Sequence, residues 1–299
     1  MQIEHNNIVW KNLANPDFQD LDFLDKELDA SHLVLKDLLG FNKRPKIEEF
    51  DHYLFLVIHF PVFNEKTRQT IPTEIDFIIT QEMVLTVYQS ENPVLINLFE
   101  DLNNNEECHP ECFKSAGWLL FYILDKMIDS CLPMLDHIHE KIETIEEKVF
   151  DGQEKEMLKE IAFVKRDIID FRRTIKPQRS VLELLSRKMA RFFKENLEII
   201  SQEVVGSEIR VWNTLENHKE MIEAIESTNS NLLSFQINQV MHTLTFFSIV
   251  LFSLTFLASF FSMKVIETFE TPLSLLGIGL LMITTVIFIT VIFKNKRWL

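Results

Sequence analysis

The residues of this sequence whose types and spacing could do chemistry are neutral oxygens rather than acids and bases. Alternating steps of four and three from Ser227 meet Asn231, Ser234, Asn238, Met241, Thr245, Ser248, Phe252, Thr255, Ser259 and Ser262, and all but Met241 and Phe252 carry a hydroxyl or an amide. A seven-residue repeat keeps one seam of a helix turned towards the axis of a left-handed bundle. From residue 244 onward the positions around the seam are mostly Phe, Leu, Ile and Val. Oxygens on such a seam can replace part of an ion's hydration if several copies face one axis. The same hydroxyls can serve as helix–helix glue by packing closely and bonding to backbone. Within the apolar stretch these two readings stand even. The seam continues upstream by about four turns, and that favours a pore. Phe252 and Leu244 would then be apolar rings that gate by dewetting, unless they are ordinary packing residues.

Other clusters carry less. Cys108, His109, Glu111 and Cys112, preceded by Glu106 and Glu107, could hold zinc, but the spacing is not that of a finger and no second pair follows. A linker with incidental thiols is the expectation. His137, His139 and Glu140 sit in a charged helical stretch and read as solvated surface. With only six glycines there is little from which to build a phosphate-cradling loop, and no nucleophile–base arrangement is visible. An enzyme is not expected, nor a bound cofactor.

The elements that must position the seam divide the chain sharply. From Ser227 onward Lys264, Lys294, Lys296 and Arg297 face only Glu267 and Glu270, a balance of +2; the formal total of −15 leaves −17 for residues 1–226. An acidic part without a basic patch argues against nucleic acid. It suits either solubility or the gathering of cations. Three cysteines point to a reducing compartment, and residues 1–5 lack the pattern of a signal peptide, so a cytosolic location is expected for the first part.

Residues 1–112 are expected to form an α/β domain. Tyr53 to Phe60 reads as a strand closed by Pro61, Glu74 to Thr80 and Met83 to Tyr88 as a pair joined at Gln81 and Glu82, and Leu21, Leu24 and Leu28 as one helical face. Residues 113–200 read as antiparallel helices: one from Trp118 to Phe150 interrupted at Pro133, another from Lys155 to Lys176 with a kink or an interruption expected at Pro177. A helix over 201–263 would be roughly 95 Å long, about three times the hydrocarbon thickness of a membrane. It reads as a stalk whose residues 243–263 enter lipid.

A short outer loop, 264–272, leads to a second membrane helix over 273–293, where Gly277 and Gly279 would permit close packing on the first. The basic tail 294–299, with Trp298, is a positive-inside signal with an interfacial aromatic. Both termini in the cytoplasm of a cell (inner) membrane is the consistent topology.

The run Asn238-Gln-Val-Met241 followed by Leu244 and Thr245 resembles the N-x-x-M-x-x-L-T entry to the first membrane helix of the CorA family of magnesium channels. Thr255 to Ala258, the tail ending in Trp298 and Leu299, and the stretches Arg44 to Phe55 and Ile75 to Val87 resemble it too. The resemblance covers nearly the whole chain. It implies an α+β cytosolic funnel domain, a stalk helix, a two-helix transmembrane hairpin and a homopentamer that passes Mg2+ or a related divalent cation. It also implies that Asn238, Met241, Leu244, Ser248, Phe252 and Thr255, with Ser259 on the same seam, line the pore.

The sequence departs from that pattern at the outer mouth. Phe261, Ser262, Met263 and Lys264 stand where the family has Tyr-Gly-Met-Asn, and Ser253 replaces a proline. An ammonium offers three donors and no acceptor, so Lys264 at the mouth would repel Mg2+. Alternatively it snorkels to lipid headgroups and leaves the mouth to Ser262, Glu267 and Glu270. The alternatives to divalent transport are a pore for anions or monovalent ions and a non-conducting membrane scaffold or sensor. Expected partners are further copies of the chain, lipids and metal ions. The resemblance further implies regulatory metal between subunits; Ser227 falls where the stalk acid belongs, with Glu223 and Glu226 close by, and Asp76 with Glu74 are the candidates on the other side.

Overall fold

The structure, a computed structural model, describes residues 1–42, 44–64, 69–104, 109–262 and 272–296. It divides into two compact units, Met1–Ile225 and Glu226–Leu299. The first is built on a six-stranded sheet in the order β1-β2-β6-β5-β4-β3, with β1 Gln2–His5, β2 Ile8–Ala14, β3 Lys46–Glu49, β4 Leu54–Asn64, β5 Gln69–Ile79 and β6 Met83–Tyr88. Among the described residues only β2 and β6 pair in parallel. The β1–β2 hairpin turns through Asn6 and Asn7, with φ of 51° and 63°. Asparagine tolerates that left-handed pair, which matches the natural twist of a tight hairpin.

Helices α1 Asp22–Leu28 and α2 His32–Leu38 cover one sheet face. There Leu24, Val34 and Leu38 pack with Phe55, Val57, Ile78, Leu85 and Val87. On the other side lie α3 Pro93–Asn104, the one-turn α4 His109–Cys112, α5 Ala116–Asp129, α6 Cys131–Phe150, α7 Glu154–Ile175 and α8 Gln178–Phe193. Of these, α7 lies on β4 and β5, and α5 on β5 and β6. Alternation along β5 explains the division, since Ile75, Phe77 and Ile79 point to one layer and Glu74, Asp76 and Ile78 to the other. Burying a side chain such as Phe55, Phe77 or Phe171 is worth roughly 1.5–3 kcal/mol, and all three are fully buried.

Two boundaries differ from those read in the sequence. β4 does not stop at Pro61, because Pro61 pairs with Pro72 across β4 and β5. That end of the hairpin extends past β3 and β6, so neither missing N–H breaks a ladder. The helix break lies at Ser130 rather than Pro133. Pro133 occupies the first turn of α6, where an N–H has no intrahelical acceptor. Past Pro177 the chain forms the separate helix α8.

Helix α9, Glu198–Ser262, runs 65 residues without interruption. Its first part belongs to the soluble unit: Arg172 of α7 pairs with Glu216 and lies 5.1 Å from the Trp212 ring. Gly117 matters here, since a Cβ would stand 2.7 Å from a methyl of Leu197 at the entry to α9. In the second unit α10, Pro272–Asn295, packs beside the last part of α9.

Candidate ion pathway and acidic sites

Both apolar helices meet the length and composition of a membrane span. Contact with α10 selects one face of α9. Phe246 meets Phe293 edge to face at 5.3 Å, and Phe246, Val250, Ser253, Leu254, Leu257 and Phe261 are the half-covered positions. The opposite face carries Asn238, Met241, Thr245, Ser248, Phe252, Thr255, Ser259 and Ser262, and every one of them is exposed, as is Leu244. Phe252 is 81% exposed, more than any other large apolar side chain described. The polar seam thus lies on the part of α9 that α10 leaves open, flanked by the exposed Phe247, Leu251, Phe256 and Phe260.

The hydroxyls on this face have a common geometry. Thr245 donates to the Met241 carbonyl at 2.7 Å, Ser248 to Leu244 at 2.8 Å and Thr255 to Leu251 at 2.8 Å. A hydroxyl has one proton and two lone pairs. With the proton committed to the backbone one turn back, each oxygen presents only acceptor character outward. The seam is legible in the sequence; this polarity is not, although hydroxyls within an apolar helix are the signal that could have found it.

Met263, Lys264, Glu267 and Glu270, expected at the outer mouth, lie outside the described residues, as do Cys108 and Trp298. Cys112 is buried. Gly277 and Gly279 do not serve the packing expected of them, because a Cβ at either would meet nothing within 4 Å in this chain.

Of the stalk acids, Glu223 is exposed, with Lys219 3.7 Å away, and Ser227 is exposed one turn further on. Glu226 is half-buried. Asp76 and Glu74 occupy a different setting: they are 3% and 8% exposed, side by side on one face of β5. Asn42 clamps Glu74 through its backbone N–H at 2.6 Å and its side-chain amide at 2.7 Å, and His59 Nε2 stands 3.6 Å away. Asp76 has no such clamp, and its Oδ1 is buried without a hydrogen-bond partner. Burial, then the neighbouring Glu74 carboxyl, pushes the Asp76 carboxyl up to about 9.

Two buried groups of α9, His218 and Glu208, escaped the sequence reading. His139, expected on a solvated surface, is half-exposed with its Nε2 3.4 Å from Glu143, and one face of its ring stacks on His218 at 5.4 Å, the Nδ1 of each lacking a partner. The helical spacing of His137 and His139 could not show which ring a later helix would cover. Glu208 is 2% exposed, with one carboxylate oxygen unpartnered, and burial raises it to about 7. Among the described residues no three of His, Cys, Asp and Glu converge as a metal site.

A family profile described as CorA-like Mg2+ transporter protein matches residues 5–297. The cobalt/magnesium transport protein CorA of Thermotoga maritima is 26% identical over 273 residues, covering 89% of this chain and 76% of the relative. The zinc transport protein ZntB of Pectobacterium atrosepticum is 20% identical over 279 residues, covering 93% of this chain and 84% of the relative. Among solved structures, the CorA magnesium transporter from Methanocaldococcus jannaschii has a TM-score of 0.83 at 18% identity, covering 100% of this chain and 94% of that one. At that identity the likeness is one of fold.

Proposed function

The chain belongs to the CorA-like Mg2+ transporter family, and we propose on that premise that several copies, five by family resemblance, enclose a cation path lined by the open seam of α9. The activity is the passage of divalent metal cations across a membrane, and the chain is not an enzyme. An altered-selectivity pore and a silent scaffold are the less favoured readings.

One observation carries the path: the polar seam from Asn238 to Ser262 is continuous, exposed and opposite the face that α10 covers. Lipid is a poor environment for such a face, since acceptors in hydrocarbon have no donors to meet. Water and a partly hydrated cation suit it, because carbonyl, amide and hydroxyl oxygens can stand in for hydration. Phe252 and Leu244 supply apolar rings across that lumen, and dewetting at those rings closes it. Asn238 and Met241 sit at its inner end, and Thr255, Ser259 and Ser262 lead outward. The transported ion is Mg2+ or a related divalent cation, and the chain carries no cofactor beyond that cargo. Lys294, Lys296 and Arg297 after the second span support both termini on the cytoplasmic side of the cell membrane. Glu223 and Glu226, near the cytosolic start of the seam, are the acids placed to meet metal between subunits.

Uptake of Mg2+ into proteoliposomes, wild type beside Lys264→Asn, tests the reading. Wild-type uptake supports it and puts the Lys264 ammonium outside the ion's route. Uptake by the asparagine variant alone puts that ammonium in the mouth. No uptake of any divalent cation by either protein, with the cytosolic side metal-free, overturns it.

A further inference from the structure

Within the soluble unit, the long helix α9 meets α6 through a pair of imidazoles. His218 of α9 is 5% exposed, and the ring of His139 from α6 lies 5.4 Å from it at an interplanar angle of 13°. The Nδ1 of each ring is buried and has no hydrogen-bond partner.

The surroundings decide which protonation state this pair accepts. The Nε2 of His139 stands 3.4 Å from Glu143, and a carboxylate only accepts, so it favours the neutral ring with its proton on Nε2. A second proton must then enter at Nδ1, the buried edge without an acceptor. His218 is worse placed. Burial, then the neighbouring His139, holds its imidazole below the ordinary 6.5, and Asp136 of α6 opposes them. Other ionisable groups around the pair are engaged elsewhere. On α9, Lys219 stands 3.7 Å from Glu223, Glu216 is held by Arg172 of α7, and Glu220 is exposed. On α6, His137 stands 3.8 Å from Glu140. Asp125 of α5 meets α9 at Ser207, about three turns earlier. A charged His218 thus has the exposed Asp136 to set against its lost hydration. Two charged rings in one stack would also repel each other.

We propose that the His139–His218 stack is a proton-sensitive latch: with both rings neutral it fastens α6 to α9, and protonation releases it. Because α9 runs 65 residues without interruption and also carries the polar seam, a proton taken up here acts on the element that bears the seam. The latch itself does not rest on reading that seam as a pore. The sign follows from where the proton can bind. When only the opened state accepts one at His218, opening is constant above the ordinary 6.5 and grows as pH falls below it. From pH 7.5 to 5.5 that growth is about tenfold. Glu208 acts with the opposite sign, since its raised carboxyl makes acid favour the folded form.

The test is hydrogen–deuterium exchange of the full-length protein in detergent at pH 7.5 and 5.5, corrected for intrinsic exchange rates. Mass spectrometry reads peptides covering residues 131–150 and 211–222. Wild type should open there about tenfold more at pH 5.5, relative to peptides from β4 and β5. His218→Phe keeps an aromatic ring against His139 with no site for a proton, and should abolish the difference. If that variant does not fold, His218→Gln serves with the same readout. No added opening in wild type overturns the proposal, as does an equal response in a folded variant. A response of the same size in the β4 and β5 peptides would be general acid destabilisation, and overturns it too.

Discussion

The two units of this chain treat their polar groups in opposite ways. In the soluble unit, polar side chains are paired across the fold: Trp10 donates to Thr86 at 3.1 Å, Thr70 N–H to Asp167 at 3.0 Å, and Arg172 to Glu216. In the membrane unit, the hydroxyls of Thr245, Ser248 and Thr255 bond only to the helix that bears them, and their face stays open. In the first unit such partners come from distant elements of the same chain. The second has a face that makes physical sense only against water or another copy. Stability therefore resides mainly in the first and function in the second.

The largest effect that would sharpen the contrast comes from two phenylalanines. Phe77 is fully buried, and Phe77→Ala should cost about 3–5 kcal/mol in unfolding experiments on the purified protein. Phe252→Ala should stay within about 0.5 kcal/mol of wild type and raise Mg2+ flux by removing an apolar ring. Equal losses of stability would mean that Phe252 packs as a core residue and the contrast fails.

Next is Arg172→Ala, which removes the Glu216 ion pair and leaves the Trp212 ring to Lys176, 5.9 Å away. After discounting for solvent screening, a loss of about 1–2 kcal/mol is expected in unfolding, with flux per folded protein unchanged. A smaller effect separates the faces of α9. Ser248→Ala should lower flux about fivefold, equivalent to about 1 kcal/mol of lost ion contact, whereas Ser253→Ala, on the face towards α10, should leave it unaltered. Identical behaviour of the two serines would reduce the seam to helix glue.

The smallest effect is a pH slope. The Glu208 carboxyl is raised to about 7 from an ordinary 4.5, so the folded state holds its proton more tightly than the unfolded state. Stability contributed by the protonated form is present below the unfolded value and declines as pH rises through about 7. Glu208→Gln should flatten that decline in thermal unfolding measured from pH 5 to 8; an unchanged slope would place its origin elsewhere.

Much of this was legible in the residues because hydrophobic period is a strong local signal. The β-rich runs before and after residue 70, the long helix and both apolar spans follow from it. What was not legible depends on neighbours distant in sequence. Pro61 reads as a strand end until Pro72 is known to sit opposite it at an unpaired end of the hairpin. The β1–β2 hairpin joins the sheet through a parallel pairing with β6, more than 70 residues away, that no local pattern announces. In the candidate sites, the seam was visible as a repeat, but the burial of Asp76 and the stacking of His139 on His218 needed the fold.

The inward donation of the α9 hydroxyls has a consequence for sign as well as size. Chloride is solvated by hydrogen-bond donors, and Thr245, Ser248 and Thr255 have none left to offer. A ring of such helices would behave as a crown ether does: neutral, Lewis-basic and receptive to cations without bearing any charge. Discrimination of cation from anion can then begin in the uncharged middle of the membrane, before either mouth is reached.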